Sequence, residues 1–234
     1  MVETYAKNST PSANIWPVSL RSTAVGVNFA DTYHRAGIPH PMIVGDPPLV
    51  LGFEGVGKIE ELGPGVTGFS VGDRVCTFLP PIGSYSQERV YPPEKMIKVP
   101  RNLSLDDVRL AGLILKGMTA QYLLHRTHRV QPGDYVLIHA AAGGVGHILC
   151  PWARHLGAIV IGTVSTHGKA EIARSHGCHH VINYSTEDFV AVTRRITDGR
   201  GVDVVYESIG KDTLQRSLDC LRPVGMCAAY GQAS

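Results

Sequence analysis

Three glycines, Gly143, Gly144 and Gly146, crowd the stretch HAAAGGVGH at residues 139–147. Before them runs YVLIH, short, apolar and bounded upstream by the turn signal Gln131-Pro132-Gly133-Asp134, which reads as a buried strand. After them Ile148, Leu149, Trp152, Ala153 and Leu156 fall at helical spacing, and Gly157 stands where a helix stop is expected. A strand, a glycine turn and a helix in that order aim the helix's unpaired amides and positive dipole end at whatever fills the turn, and a phosphate suits both. The spacing is close to the dinucleotide fingerprint, with Ala141 in place of the first glycine. Gly143 would let the backbone approach a pyrophosphate, and Gly146 would let the helix sit close on the strand. Taken alone, such a turn is equally a structural one.

The surrounding elements favour the cofactor. From residue 158 the chain alternates AIVIGTV, a helical stretch near Lys169 to Ser175, HVIN, a helix from about Thr186, VDVVY, a helix from Asp212, and MCAAY. Strands alternating with helices imply an α/β unit, a doubly wound parallel sheet covered on both faces. A binder of the unphosphorylated dinucleotide offers a carboxylate at the end of the second strand. Here that place reads Gly162-Thr163-Val164-Ser165-Thr166, with Ser165 and Lys169 nearby and no acid before Glu171. A hydroxyl and an ammonium attract an extra phosphate, which favours NADPH; an ordinary solvated helix lysine is the alternative.

A chain of 234 residues, 44% hydrophobic and 18% charged with net charge +2, accommodates one or two domains and gives no reason to expect nucleic acid as a partner. No apolar run approaches membrane-span length. The basic cluster His125-Arg126-Thr127-His128-Arg129 is explained by a helix C-terminus. Five scattered cysteines without a CxxC pair, and no signal-like segment, point to the cytoplasm; Asn8-Ser9-Thr10 is then a chance sequon. His176, Cys178, His179 and His180 could suggest a metal, but adjacent residues point in different directions on a helix or strand.

The first hundred residues differ in texture, with short β-rich runs broken by prolines, among them Pro39, Pro41 and Pro47. They read as a separate β domain over residues 20–103. A connecting helical region follows over 104–126, which Ser104 would cap with Asp107 completing a capping box, and then a dinucleotide domain over 127–234. A cleft between two such domains is a natural ligand site.

VGVNFADTYHRAG (25–37), LGFEGVGKIEELGPGV (51–66), FSVGDRV (69–75), LKGMTAQYLL (115–124), HAAAGGVG (139–146) and VINYSTED (181–188) together resemble the quinone oxidoreductase, zeta-crystallin-like branch of the medium-chain dehydrogenase/reductase superfamily. The resemblance runs from about Leu20 to Ser234. It implies a GroES-like β domain followed by a Rossmann domain, and zinc-independent, NADPH-dependent reduction of quinones by hydride or electron transfer. Reduction of enones or alkenals, or a non-catalytic NADPH-binding, crystallin-like role or inactive fragment, are the alternatives. The family tolerates alanine at the first fingerprint glycine. By the same resemblance Asn28, Tyr33 and Thr119 line the nicotinamide and substrate side, Gly143, Gly144, Val145 and Gly146 approach the pyrophosphate, and Ser165, Lys169 and Tyr184 grip the ribose phosphate. Zinc-dependent cousins carry a cysteine where this chain has Asn28 and a histidine where it has Phe53, so no catalytic metal is expected, and Asp31 is expected to hold neighbouring hydrogen bonds.

Three departures stand out. Pro151 falls inside the expected helix and should kink it. Residues 1–19 do not read as the family's opening hairpin and stay unassigned. The chain stops at GQAS, where relatives continue with a further Rossmann strand and a return segment, so the C-terminal part of the family fold reads as absent. A family-like homodimer becomes doubtful, and low stability with turnover lost before cofactor binding is expected.

Overall fold

The computed structural model describes residues 17–38 and 48–234, and the chain divides into two compact units, Met1–Leu115 and Lys116–Ser234. The sequon at Asn8 and Pro39, Pro41 and Pro47 lie outside the described residues.

In the first unit, β1 (Val18–Gly26), β2 (Glu54–Leu62), β3 (Arg74–Thr77), β4 (Glu88–Tyr91) and β5 (Met96–Lys98) form an antiparallel sheet in the order β4-β1-β2-β3-β5. Val18 and Ser19, within the segment left unassigned from sequence, begin β1, where Val18 pairs with Leu62 and Tyr91. Val18, Leu20, Ile59, Val75, Tyr91 and Met96 close the core of this unit. A short helix α1 (Phe29–Arg35) follows β1, its first turn fastened by the Asn28 amide donating to Asp31 Oδ2 at 2.8 Å.

The helix expected from Ser104 is α2 (Asp107–Tyr122), and its cap is corrected: Asp106 Oδ1, not Ser104, accepts the Arg109 amide at 2.8 Å. Asp107 completes no capping box, because its carboxylate is taken by the Arg74 guanidinium and by the Thr23 hydroxyl at 2.5 Å. The unit boundary falls within α2, which ends in a π-helical turn, Leu123–Thr127.

In the second unit, β6 (Tyr135–Ile138), α3 (Gly146–His155), β7 (Ile159–Val164), α4 (His167–Ser175), β8 (His180–Asn183), α5 (Phe189–Ile196), β9 (Val202–Glu207), α6 (Leu214–Asp219) and β10 (Leu221–Ala229) alternate. The sheet is parallel, in the order β10-β9-β6-β7-β8. Val136 and Ile138 pack with residues of α2, α3 and α4, whereas Leu137 between them packs with α5 and Cys220, so helices cover both faces. The α5 and α6 starts lie later than expected, at Asp188, which caps α5 by accepting from the Val190 and Ala191 amides, and at Leu214. α3 runs through Pro151 to His155, and Gly157 with φ of 89° follows its end. The histidine-rich stretch diverges: His179 Nδ1 accepts from the Val160 amide at 3.0 Å, Cys178 is buried, and His176 turns to the His147 ring.

Candidate cofactor and substrate sites

In the second unit the sheet order reverses between β6 and β9, and the glycine turn leaves the carboxyl end of β6 at that point, where open α/β sheets bind ligands. The turn is shaped by its neighbours. Ala140 adopts φ of 51°, the Ala141 amide donates to Thr163 O at 3.1 Å, and the Gly143 amide returns to Ala140 O at 2.8 Å. A Cβ on Gly146 would stand 2.3 Å from Ala141 O and 2.7 Å from Ala140 O, so α3 can begin there only without a side chain. Among the described residues the amides of Gly144, Val145 and Gly146 donate to no main-chain carbonyl, which leaves three successive N–H groups at a helix start for an anion. Gly143 differs from its neighbours, since its own amide is spent within the turn.

Lys116, which the sequence reading missed, lays its stem against the loop: a Cβ on Gly144 would meet its Cε at 3.0 Å. Thr119 follows three residues later on the same face of α2. At the carboxyl ends of β7 and β8, Lys169 Nζ reaches back to Ser165 Oγ at 3.3 Å, the Tyr184 amide donates to Val164 O, and Ser185 Oγ donates to Ser165 O. Ser165, Lys169 and Tyr184 thus gather at one edge of the sheet, all at least partly exposed and with no carboxylate among them.

At the carboxyl ends of β6 and β9 lies a buried polar network that sequence reasoning did not find. Glu207, at the end of β9, is fully buried and accepts from the amides of Ile209 (2.7 Å) and Gly210 (3.2 Å), from Thr213 Oγ1 (2.9 Å) and from Ser217 Oγ (2.6 Å). His139, equally buried, contacts Ser217 Oγ and Thr163 Oγ1, each at 2.9 Å. Burial alone would raise the Glu207 carboxyl, but His139 and these donors outweigh it and hold the group below its usual range. Burial lowers the His139 imidazole, opposed by Glu207. One arrangement satisfies every group: neutral His139 donates from Nε2 to Ser217, Ser217 donates to Glu207, and Thr163 donates to His139 Nδ1.

In the first unit the expected site residue Asn28 has its amide engaged, Nδ2 donating to Glu54 Oε2 at 2.8 Å. Glu54, missed from sequence, is fully buried and also accepts the Leu115 amide at 2.7 Å. Gly26 makes room for it, since a Cβ there would meet Glu54 Oε2 at 2.3 Å. Asp31 holds hydrogen bonds as expected, its Oδ2 receiving both the Asn28 amide and the Tyr85 hydroxyl at 2.7 Å. Burial and then the bond to Asp31 push the Tyr85 phenol well above its usual range, so it remains a donor. Tyr33 stands edge-on to Phe29, 5.6 Å between centroids. Phe53 is buried against the His34 ring. The structure therefore draws Asn28 into a cluster with Glu54, Asp31 and Tyr85 in one unit; in the other, Lys116 lies against the glycine turn and Lys169 against Ser165.

Two family models match the chain: the alcohol dehydrogenase GroES-like domain over residues 17–134 and the zinc-binding dehydrogenase over residues 144–234. A 2-haloacrylate reductase of Burkholderia sp is 76% identical over 217 residues, 93% of this chain and 65% of that protein. A quinone oxidoreductase of Pseudomonas aeruginosa is 44% identical over 218 residues, again 65% of its length. The crystal structure of Escherichia coli quinone oxidoreductase complexed with NADPH superposes with a TM-score of 0.88 at 40% identity, covering 97% of this chain and 69% of that one. This chain thus spans 65% of the length of these two curated relatives.

Proposed function

Since the chain belongs to the quinone oxidoreductase branch of the medium-chain dehydrogenase/reductase superfamily, with a GroES-like domain and a Rossmann-like sheet, we propose that it is an NADPH-dependent reductase of electron-poor conjugated carbonyl compounds, 2-haloacrylates foremost. The observation that carries the substrate class is the 76% identity to a 2-haloacrylate reductase. Quinone reduction is the second reading, favoured by the relatives that are 44% and 42% identical and bear that name.

The residues present fit the cofactor. Three unengaged amides at the start of α3 suit a pyrophosphate, the bare Cα of Gly146 allows the close approach, and Ser165 with Lys169 suits a ribose phosphate. NADPH, when bound, supplies the hydride and an acid or water supplies the proton, so that CH2=CX–COO⁻ becomes CH3–CHX–COO⁻. The protein's tasks are to orient the acceptor, exclude water and stabilise the negative charge that develops on the conjugated carbonyl. Asn28, Tyr33 and Thr119 are the side chains proposed to line and orient the acceptor, Asn28 as a group fixed in place by its donation to Glu54 and Tyr33 with its hydroxyl as the donor toward the developing charge. A panel of 2-chloroacrylate, a simple enone and a quinone, followed by NADPH absorbance, separates the readings. Faster turnover of the quinone than of 2-chloroacrylate overturns the first.

Two expected results belong to this reading. Lys169→Ala weakens NADPH binding by about 1–3 kcal/mol, the range for a charge-assisted hydrogen bond, and leaves NADH almost unchanged in parallel titrations. Equal losses for both cofactors remove Lys169 from the phosphate site. Turnover is also expected to survive exhaustive chelation, because Asn28 and Phe53 cannot serve as thiolate or imidazole ligands. Stoichiometric zinc whose removal abolishes hydride transfer refutes it.

A further inference from the structure

Arg89 on β4 is mostly buried in the first unit, yet it makes no ion pair with any described carboxylate, and its Nη1 is buried without a hydrogen-bond partner. Its Nη2 donates to Thr77 Oγ1, and its guanidinium lies 4.5 Å from the centroid of the Tyr91 ring. Burial pulls its pKa down to about 10. A desolvated cation with an idle donor is costly, and buried charges are ordinarily paired. A second idle donor is linked to it through Gly55: Ser84 Oγ is buried and unpartnered, and lies 3.6 Å from where a Cβ on Gly55 would stand. Thr77, the partner of Arg89, donates to the carbonyl of that same Gly55 at 3.3 Å. Gly55 follows Glu54, whose carboxylate holds Asn28.

Resting on the reading that this chain reduces haloacrylates, we propose that Arg89, assisted by Ser84, anchors the carboxylate of a small acidic substrate. A carboxylate brings the negative charge that the guanidinium lacks and two oxygens for the two idle donors. Such an anchor selects acids over their esters and amides. A site that holds a charged group discriminates strongly against an analogue without it, because its own groups are then left unpaired.

The test replaces Arg89 by methionine, which keeps the volume and removes the charge, and by lysine, which keeps the charge. Without ligand, Arg89→Met is expected to melt no lower than the parent, since an unpaired buried cation has been removed. Binding of 2-chloropropionate, a saturated acid that needs no turnover, is followed by thermal shift. The parent responds saturably, Arg89→Lys retains part of the response, and Arg89→Met loses it. In steady state, Arg89→Met lowers kcat/KM for 2-chloroacrylate by about 10- to 100-fold, as for a lost charge-assisted hydrogen bond, and leaves methyl 2-chloroacrylate within about twofold. Equal losses on acid and ester, or undiminished 2-chloropropionate binding by Arg89→Met, overturn the anchor. If the parent turns over neither acid nor ester, the reductase reading fails, while the 2-chloropropionate response still decides Arg89.

Discussion

The Gly146→Ala variant is expected to lose measurable NADPH binding while its first unit stays folded. The added methyl would meet Ala141 O at 2.3 Å, the Ala141 carbonyl carbon at 2.6 Å and Ala140 O at 2.7 Å, all backbone atoms of the turn. No flexible side-chain end stands there to give way, so either α3 retreats from the end of β6 or the turn unfolds. Overpacking of this kind costs about 1–3 kcal/mol of stability. The amides of Gly144, Val145 and Gly146 move with the helix start, and loss of two charge-assisted hydrogen bonds to a pyrophosphate amounts to about 3 kcal/mol or more, over 100-fold in affinity. Titration of NADPH fluorescence measures it. Affinity within threefold of the parent would show that the pyrophosphate does not rest on this turn.

The Glu207→Gln variant is expected to be the least stable of the single substitutions. Every partner of the carboxylate is a donor: the Ile209 and Gly210 amides, the Thr213 hydroxyl and, through Ser217, His139. An amide in its place points an NH2 group at donors and leaves at least one of them unpaired. Breaking such a buried, hydrogen-bonded charge costs about 3–5 kcal/mol. Because Ile209 and Gly210 begin the segment leaving the carboxyl end of β9, cofactor affinity falls with stability. The same network sets a pH dependence. Both His139 and Glu207 are held below their ordinary values, so the unfolded chain binds more protons than the folded one in acid. Stability is therefore full above the ordinary histidine pKa, about 6.5, and declines as pH falls below it, with the Glu207 contribution lost further down through the folded carboxyl pKa. Urea denaturation at pH 5.5 and 7.5 reads the first step, and a His139→Gln variant should show a smaller difference between them. A parent whose midpoint is the same at both pH values contradicts the assignment of a neutral buried His139.

What could be read from sequence was local. The turn at 139–147 spells out its strand, its glycines and its helix within twenty residues, and Ser165 and Lys169 lie one helical turn apart. The cap of α2 was misread because Ser104 and Asp106 are both good capping residues. The choice between them is made by Arg74 and Thr23, which claim Asp107 from 33 and 84 positions away. The same holds for the buried polar groups. Glu54 meets Leu115 61 residues on, and His139 meets Ser217 78 residues on. Neither pairing leaves a periodic or spacing signal. Arg89 illustrates the opposite case, a residue whose interest lies in what it fails to contact, which only packing reveals.

Following the hydride itself decides whether the protein reduces an electron-poor double bond by hydride transfer. With NADPH deuterated at the transferring position of the nicotinamide and 2-chloroacrylate as acceptor, the expected product is 2-chloropropionate carrying one deuterium on the methyl carbon, since hydride adds to the β-carbon and the proton to the carbon bearing the halogen. NADPH consumed without labelled product, or NADPH bound and no acid reduced, would contradict it.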